Sequence, residues 1–397
     1  MKRIFTIVLT LAMVLLLAAC GNQSASNTAG EVTSNADDDS SDNIKFGLCI
    51  GTTGSLALEG DFVVKAVNMA VDEINAAGGV LGRNLEVVVQ DDAGQADSSV
   101  MVIQRFGEDE DIVGVIGPHM SASVLAIDSI VKQNKLPCLV GGTVKSISDL
   151  NNDYIYRHRN SDRLNAVVAT DYLVNSLGCS KIGVLYNNAD LGNGAKETIE
   201  DTLNSFGMTI AAAEAHNAGD VDMTGQIMKL KEAGVDSVIV YCFPAEAAII
   251  VRQLNELGLG DLPIIGGATF TSTGFYDACD EAYVDGTYAV TDFVADDPES
   301  ADFVNAFNEI YGQNPDNTAF EYYDAVYLLA DALTRAGTVD RQALADAYGS
   351  TTDFQGNQGH MYCDEYNDLV HQVIVAQNHG RSAQKIYSIT EEEIFNK

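Results

Sequence analysis

Positive charge is what this chain has least of. Its 397 residues hold 22 Lys and Arg against 57 Asp and Glu, a net charge of −35. Such a surface repels phosphate backbones and anionic lipid headgroups, so nucleic acid and an anionic membrane face are excluded as partners. Paired cysteines are also missing. There are seven Cys and no CxxC pair, and the scattered spacing of Cys49, Cys138, Cys179, Cys242, Cys279 and Cys363 sets no disulfide pattern and no metal site. Cys49, Cys138 and Cys242 lie in apolar runs and read as buried thiols.

Catalytic constellations are absent too. The six His are scattered and there is no GxSxG elbow. The Gly51–Ser55 loop lacks the Lys of a phosphate loop. Asp91-Asp92 has no companions at metal spacing and reads as a strand-end pair that orients its loop. The alternating acids of Asp364–Asp368 are too few for a calcium loop and fit a hairpin turn. No cofactor and no enzymatic activity are expected. One remnant of a catalytic reading is His119, two residues before Ser121, which keeps an extracellular α/β hydrolase as an alternative.

What is present begins with a targeting segment. Lys2 and Arg3 precede the apolar run Ile4–Leu17, which is short for a membrane span. Leu17-Ala18-Ala19-Cys20 resembles the lipobox of bacterial lipoproteins. That resemblance implies cleavage of a signal peptide, residues 1–19, and lipidation of Cys20. Losing Lys2 and Arg3 would take the net charge to −37 (−35 − 2). The rest of residues 20–43 is mostly Ser, Asn, Asp, Thr and Ala, which cannot bury a core and reads as a flexible tether.

From Ile44 onward, short apolar runs alternate with segments of helical period, the pattern of parallel sheets covered by helices. Strands are expected at Ile44–Ile50, Leu85–Val89, Ile112–Ile116, Leu136–Val140, Lys181–Tyr186, Met208–Ala213, Ser237–Tyr241 and Leu262–Gly266. In such sheets ligands sit at the carboxyl ends of strands. The loops Gly51–Ser55, Asp91–Gly94, Gly117–Ser121 and Gly141–Thr143 therefore share one edge. The third of these lies in IVGVIGPHMSAS, Ile112–Ser123, a buried strand that breaks at Gly117-Pro118 and runs into a helix at Ser121. The first amides of a helix and its dipole attract a small anion such as a carboxylate. Ser is equally a favoured helix cap, so the residues alone leave both roles open for Ser121.

Several segments resemble the type I periplasmic binding protein family, in its branched-chain amino-acid receptor branch. They are GSLALEG (Gly54–Gly60), AVDEINAAGGVLGRNLEVVVQDDAG (Ala70–Gly94), VIGPHMSAS (Val115–Ser123), LPCLVGG (Leu136–Gly142), YDAVYLLADAL (Tyr323–Leu333) and FQGNQGHMYCDEYND (Phe354–Asp368). The resemblance implies two Rossmann-like α/β lobes with parallel sheets joined by a three-crossover hinge, near Arg157–Ser161, Val290–Phe293 and Phe354–Gly359. Lobe 1 would comprise 44–158 and 291–355, and lobe 2 would comprise 159–290 and 356–397. A ligand would lie in the cleft, and closure around it would be read by a permease in the membrane.

Carried over by position, the resemblance places Ser121 at the ligand carboxylate, with Ala122 beside it, and Gly142 where a backbone group meets the ligand. Three departures follow. The family often has Ala-Thr after that glycine, whereas this chain has Thr143-Val144, so Thr143 takes the role after a small shift. An acid that pairs with the ligand ammonium is replaced by Ala268. A buried ammonium without a counter-charge costs several kcal/mol; either another acid, with Glu59 the candidate, replaces it or the ligand is not an α-amino acid. An aromatic of the lobe 2 wall is replaced by Leu191, leaving Phe243 as the expected apolar wall. Glu59 reads equally as a solvated helix-start residue, and Phe243 as core.

The expected function is an extracytoplasmic solute receptor of an ABC importer, a monomer that takes a small polar amino acid, amide or carboxylate. It would be held by Cys20 on the outer face of the cytoplasmic membrane or in the periplasm. A sensor of the same fold, coupled to a membrane signalling protein, is the alternative.

Overall fold

The computed structural model describes residues 43–390 and residue 393. The expected signal peptide, Cys20 and nearly all of the tether lie outside these residues. The chain runs β1 (Ile44–Ile50), α1 (Ala57–Ala76), β2 (Leu85–Asp91), α2 (Ala96–Glu108), β3 (Ile112–Ile116), α3 (Ser121–Asn134), β4 (Cys138–Val140) and β5 (Ile155–Arg157). It continues through α4 (Asp162–Asp171), β6 (Ile182–Asn187), α5 (Asp190–Ser205), β7 (Ala212–His216), α6 (Thr224–Ala233), β8 (Ser237–Tyr241), α7 (Pro244–Glu256) and β9 (Ile264–Gly266). The short α8 (Thr273–Ala278) and α9 (Glu281–Val284) lead to β10 (Tyr288–Thr291). Helices α10 (Ala301–Tyr311), α11 (Asn317–Ala336) and α12 (Arg341–Gly349) follow. The described chain closes with β11 (Phe354–Gly356), β12 (Gly359–Cys363), β13 (Leu369–Val370), β14 (Val373–His379) and β15 (Ser382–Ile389).

Two sheets organise these elements. The first has the order β2-β1-β3-β4-β5 and is parallel throughout. The second has the order β15-β14-β10-β9-β8-β6-β7, parallel from β7 to β10, with β14 and β15 added antiparallel. Their strands are short apolar runs because helices cover both faces; IVGVI and SVIVY are buried at every position. In each sheet the strand order reverses beside the first strand, between β1 and β3 and between β6 and β8. Such switch points open a crevice at the carboxyl ends. The loops after β1 and β3 therefore face a crevice in lobe 1, and those after β6 and β8 face one in lobe 2.

Each sheet has its own core. The first gathers β1–β5 with α1–α3, α11 and α12, from Phe46 and Ile116 to Tyr322 and Tyr348. The second sheet is packed on both faces, around Ile239 and Val375 on one and around Val240 and Phe275 on the other. A smaller cluster of Phe62, Phe293, Phe303, Phe307 and Phe320 seats α10. Between the sheets the small ladder β11-β12-β13 carries the chain across, and Leu369 packs into the first core while Val370 packs into the second.

Some elements differ from the sequence expectation. The strand expected at Met208–Ala213 is β7, displaced to Ala212–His216. Gly207 ends the preceding helix at φ +72°, and the next residues carry the chain to the sheet edge, where Ala212 pairs with Gly183. Strand β15 was not expected, because SAQKIYSI is a mixed polar edge strand with one buried residue near each end.

Among the described residues no helix is long and apolar enough to cross a membrane.

Candidate functional site

The lobe 1 edge is built around the turn between β3 and α3. Gly117 sits at φ +97° and a Cβ there would stand 2.1 Å from the Cys49 carbonyl, so only glycine lets β3 turn against β1. Helix α3 starts at Ser121, and its N-cap, Met120, offers no side-chain acceptor. Ser121 does not cap its own helix. Its Oγ accepts the Thr143 N–H at 3.1 Å and the Val144 N–H at 3.4 Å, leaving its own O–H to donate. Gly142 makes this approach possible, since a Cβ there would lie 2.6 Å from Ile147 and 3.0 Å from the Ser121 Cα. Ser121, Gly142 and Thr143 are thus brought together, with Ala122 exposed next to them.

Asp91 and Asp92 orient loops. Asp91 accepts the amides of Thr52, Thr53 and Ala93, and Asp92 accepts from the Gly94 amide and the Ser99 hydroxyl. The His119 Nδ1 lies 3.2 Å from the Tyr322 hydroxyl, and no hydrogen bond joins His119 to Ser121 among the described residues. Burial, helped by Arg159, pushes His119 down to about 3, so the ring is neutral.

The side-chain ties around Arg157–Ser161 are what sequence reasoning missed most. Arg157 is 1% exposed and donates from Nε and Nη2 to both Asp368 oxygens, at 2.8 and 2.6 Å. Its Nη1 donates to the carbonyls of Thr143 and Val144, both at 3.0 Å. One buried guanidinium therefore ties the ligand-side turn of lobe 1 to the loop before β13. Asn160 donates to Asp292, just after β10, at 3.0 Å and to the Gln372 carbonyl, between β13 and β14, at 3.3 Å. Arg159 donates to the Gly141 carbonyl at 2.9 Å and pairs with Glu321 at 2.6 Å. Burial raises the Glu321 carboxyl above its usual range and the Arg159 charge opposes that.

Glu59 stands in the first turn of α1, half-buried. Burial raises its carboxyl, Asp316 adds to that and Arg159 opposes it. Its electrostatic neighbours are Asp316 and Arg159.

The lobe 2 edge has a different character. Asp162 opens α4, and its N–H donates to the Thr143 carbonyl at 2.8 Å. Its side chain reaches Thr143 as well, while Oδ2 is buried with no partner among the described residues. Burial raises its carboxyl, opposed by Thr143, Arg159 and Arg157. Tyr241 ends β8; its hydroxyl is buried without a described partner, and burial and the Asp162 charge push its pKa up. Asn165 Oδ1 and Asn187 Nδ2 are buried and unpartnered in the same way. Leu191 packs against both the first and the second core, and Lys145 meets Glu197 of α5 at 3.7 Å. Phe243 is 44% exposed, at the N-cap of α7. Ala268 carries no charge, and its neighbour Thr269 donates to the Cys242 carbonyl at 3.2 Å.

Two α/β units with opposed switch-point crevices and a buried polar hinge define a two-lobed binding protein. The comparisons agree: the periplasmic binding protein family model matches residues 43–382, and the chain belongs to that family. Its members are extracytoplasmic binding proteins and not enzymes. The chain is similar to the leucine-, isoleucine-, valine-, threonine- and alanine-binding protein of Pseudomonas aeruginosa, at 28% identity over 330 residues, 83% of this chain and 87% of that protein. Among solved structures it is similar to the branched-chain amino acid transporter substrate binding protein LivJ of Streptococcus pneumoniae in complex with isoleucine. There the identity is 25% and the TM-score 0.77, covering 88% of this chain and 99% of that one. A solute binding protein of an ABC transporter from Rhodopseudomonas palustris, in complex with 3,4-dihydroxybenzoic acid, shares the fold at 20% identity and TM-score 0.76, covering 88% and 97%.

Proposed function

We propose that this chain captures a small neutral α-amino acid between its lobes and delivers it to an ABC permease. The observation that carries the reading is the buried, unpartnered Asp162 oxygen beside Thr143 and Tyr241. The nearby Arg159 and Arg157 are engaged with Glu321 and Asp368, and a buried carboxylate oxygen without a hydrogen bond is costly; a ligand ammonium placed there would supply the missing partner. Asp162 thus supplies the acid that Ala268 does not. Ser121 O–H, the first amides of α3 near Ala122, and the Gly142-Thr143 backbone receive the ligand carboxylate. Leu191 and Phe243 form the apolar wall, and Glu59 stands on the lobe 1 rim. The relatives support the ligand class, since the one from P. aeruginosa is named for five neutral amino acids and LivJ holds isoleucine. Lobe 1 as 44–158 with 291–355, lobe 2 as the remainder, and a lipid anchor at Cys20 complete the proposal.

A thermal-shift panel of neutral amino acids, amides and small carboxylates tests it. A concentration-dependent rise with at least one amino acid is expected, reduced by Ser121→Ala. No rise with any amino acid, or an equal rise in the variant, contradicts the assignment.

A further inference from the structure

Lobe 2 carries a second polar group at the carboxyl ends of its strands. His216 ends β7, Cys242 follows β8 directly, and Glu246 lies in the first turn of α7. All three are buried, and one donor atom from each lies within 4.8 Å of the other two, the one such group among the described residues. His216 Nε2 is 3.9 Å from Glu246 Oε2.

The imidazole is oriented for coordination. Its Nδ1 lies 3.2 Å from the Asn217 carbonyl, which can only accept, so Nδ1 carries the proton. That leaves the Nε2 lone pair free, buried and without a hydrogen-bond partner among the described residues, beside the thiol and the carboxylate. A carbonyl behind a histidine is the arrangement that fixes the tautomer and ring orientation of metal-bound imidazoles. Glu246 is held too, accepting the Phe243 N–H at 3.3 Å. Burial, and next to it the Glu246 charge, keep the Cys242 thiol protonated in the metal-free chain.

We propose that His216, Cys242 and Glu246 bind one divalent transition metal ion of the zinc class, with water at a fourth position. One nitrogen, one thiolate sulfur and one carboxylate oxygen suit that ion and disfavour magnesium or calcium, which want oxygen alone. Bonds of 2.0–2.3 Å on tetrahedral axes put donor atoms roughly 3.5 Å apart, so small side-chain rotations suffice. Binding replaces the Cys242 S–H bond with a sulfur–metal bond and releases that proton to solvent. The ion would tie β7, β8 and α7 together below Phe243.

The test is titration of the full-length chain with Co²⁺, followed by Zn²⁺, watched by absorption and by proton release. The expected result is one cobalt per chain, a thiolate-to-cobalt charge-transfer band, release of one proton and displacement by zinc. Cys242→Ser should abolish the band, and His216→Gln should weaken cobalt binding by about tenfold or more, with circular dichroism confirming that both variants fold. No band with the natural chain overturns the site. So does a band that survives Cys242→Ser, or uptake that is equal in all three proteins, which would be adventitious binding to the acidic surface. Amino-acid binding plays no part in the readout, so this result is independent of the cleft assignment.

Discussion

The two edges of the cleft are finished to different degrees. Around the Ser121 turn and Arg157, polar groups answer one another: Ser121 accepts two amides, Arg157 makes bonds to Asp368, Thr143 and Val144, and Asp91 and Asp92 hold their loops, while Ser146 Oγ and both His158 ring nitrogens on that side are buried without a described partner. On lobe 2, Asp162, Asn165, Asn187 and Tyr241 each keep a buried polar atom without a described partner. An unmade buried hydrogen bond costs about 1–3 kcal/mol, so the Asp162 oxygen carries a cost that a polar ligand can relieve. Changes at Arg157 should therefore act on stability, changes at Asp162 on affinity, and changes at Ser121 on both.

Arg157→Ala is the severest break on the satisfied side. It strands the buried Asp368 carboxylate, and urea unfolding should show a loss of about 3–5 kcal/mol. A loss below about 1 kcal/mol, the range of a surface pair, would mean that the hinge is not held as described. Asp162→Asn should do the reverse, lowering amino-acid affinity by about 30-fold or more with the unfolding midpoint nearly unchanged. A large loss of stability with affinity retained would erase the contrast between the edges.

Protonation gives a third handle. Asp324 accepts the Asn357 and Gln358 amides in the turn between β11 and β12, and burial pushes its carboxyl up to about 6. The folded value lies above the unfolded one, so the folded chain binds this proton more tightly. Its contribution is full below about pH 4 and is lost as the pH rises through about 6. Asp324→Asn removes that titration. Between pH 4 and 7 the natural chain should lose roughly 2–3 kcal/mol relative to this variant; a difference that does not change with pH would refute the burial effect. Ser121→Ala should cost about 1 kcal/mol of stability and also weaken ligand binding, because the hydroxyl serves both. Lys145→Ala breaks only a partly exposed pair between the lobes, and a stability change above about 1 kcal/mol would be unexpected.

The fold was legible because it rests on local signals. Buried parallel strands are short apolar runs, their loops open on glycine, and each helix carries one apolar face; IVGVIGPHMSAS shows the first two within twelve residues. The same stretch made Ser121 visible, although its partners proved to be the Thr143 and Val144 amides and not its own helix. The hinge and lobe 2 edge were hidden for a physical reason. Asp162 reads as an ordinary first-turn acid and Tyr241 as the end of a core strand. The role of Arg157 depends on Asp368, 211 residues away. No local period reports a pairing at that range. The missing acid at Ala268 was a useful signal, since it left either a substitute acid or a ligand that is not an α-amino acid, but only the three-dimensional arrangement puts Asp162 beside Thr143.

The central claim is that Asp162 holds a ligand ammonium while the Ser121 turn holds its carboxylate. Calorimetric titration of the chain with leucine and with 4-methylpentanoate, the same carboxylate without its amino group, tests it most directly. The account predicts binding of leucine, at least about 30-fold weaker binding of 4-methylpentanoate, and near-loss of that preference in Asp162→Asn. Equal affinity for the two compounds, or a preference that survives Asp162→Asn, would contradict it.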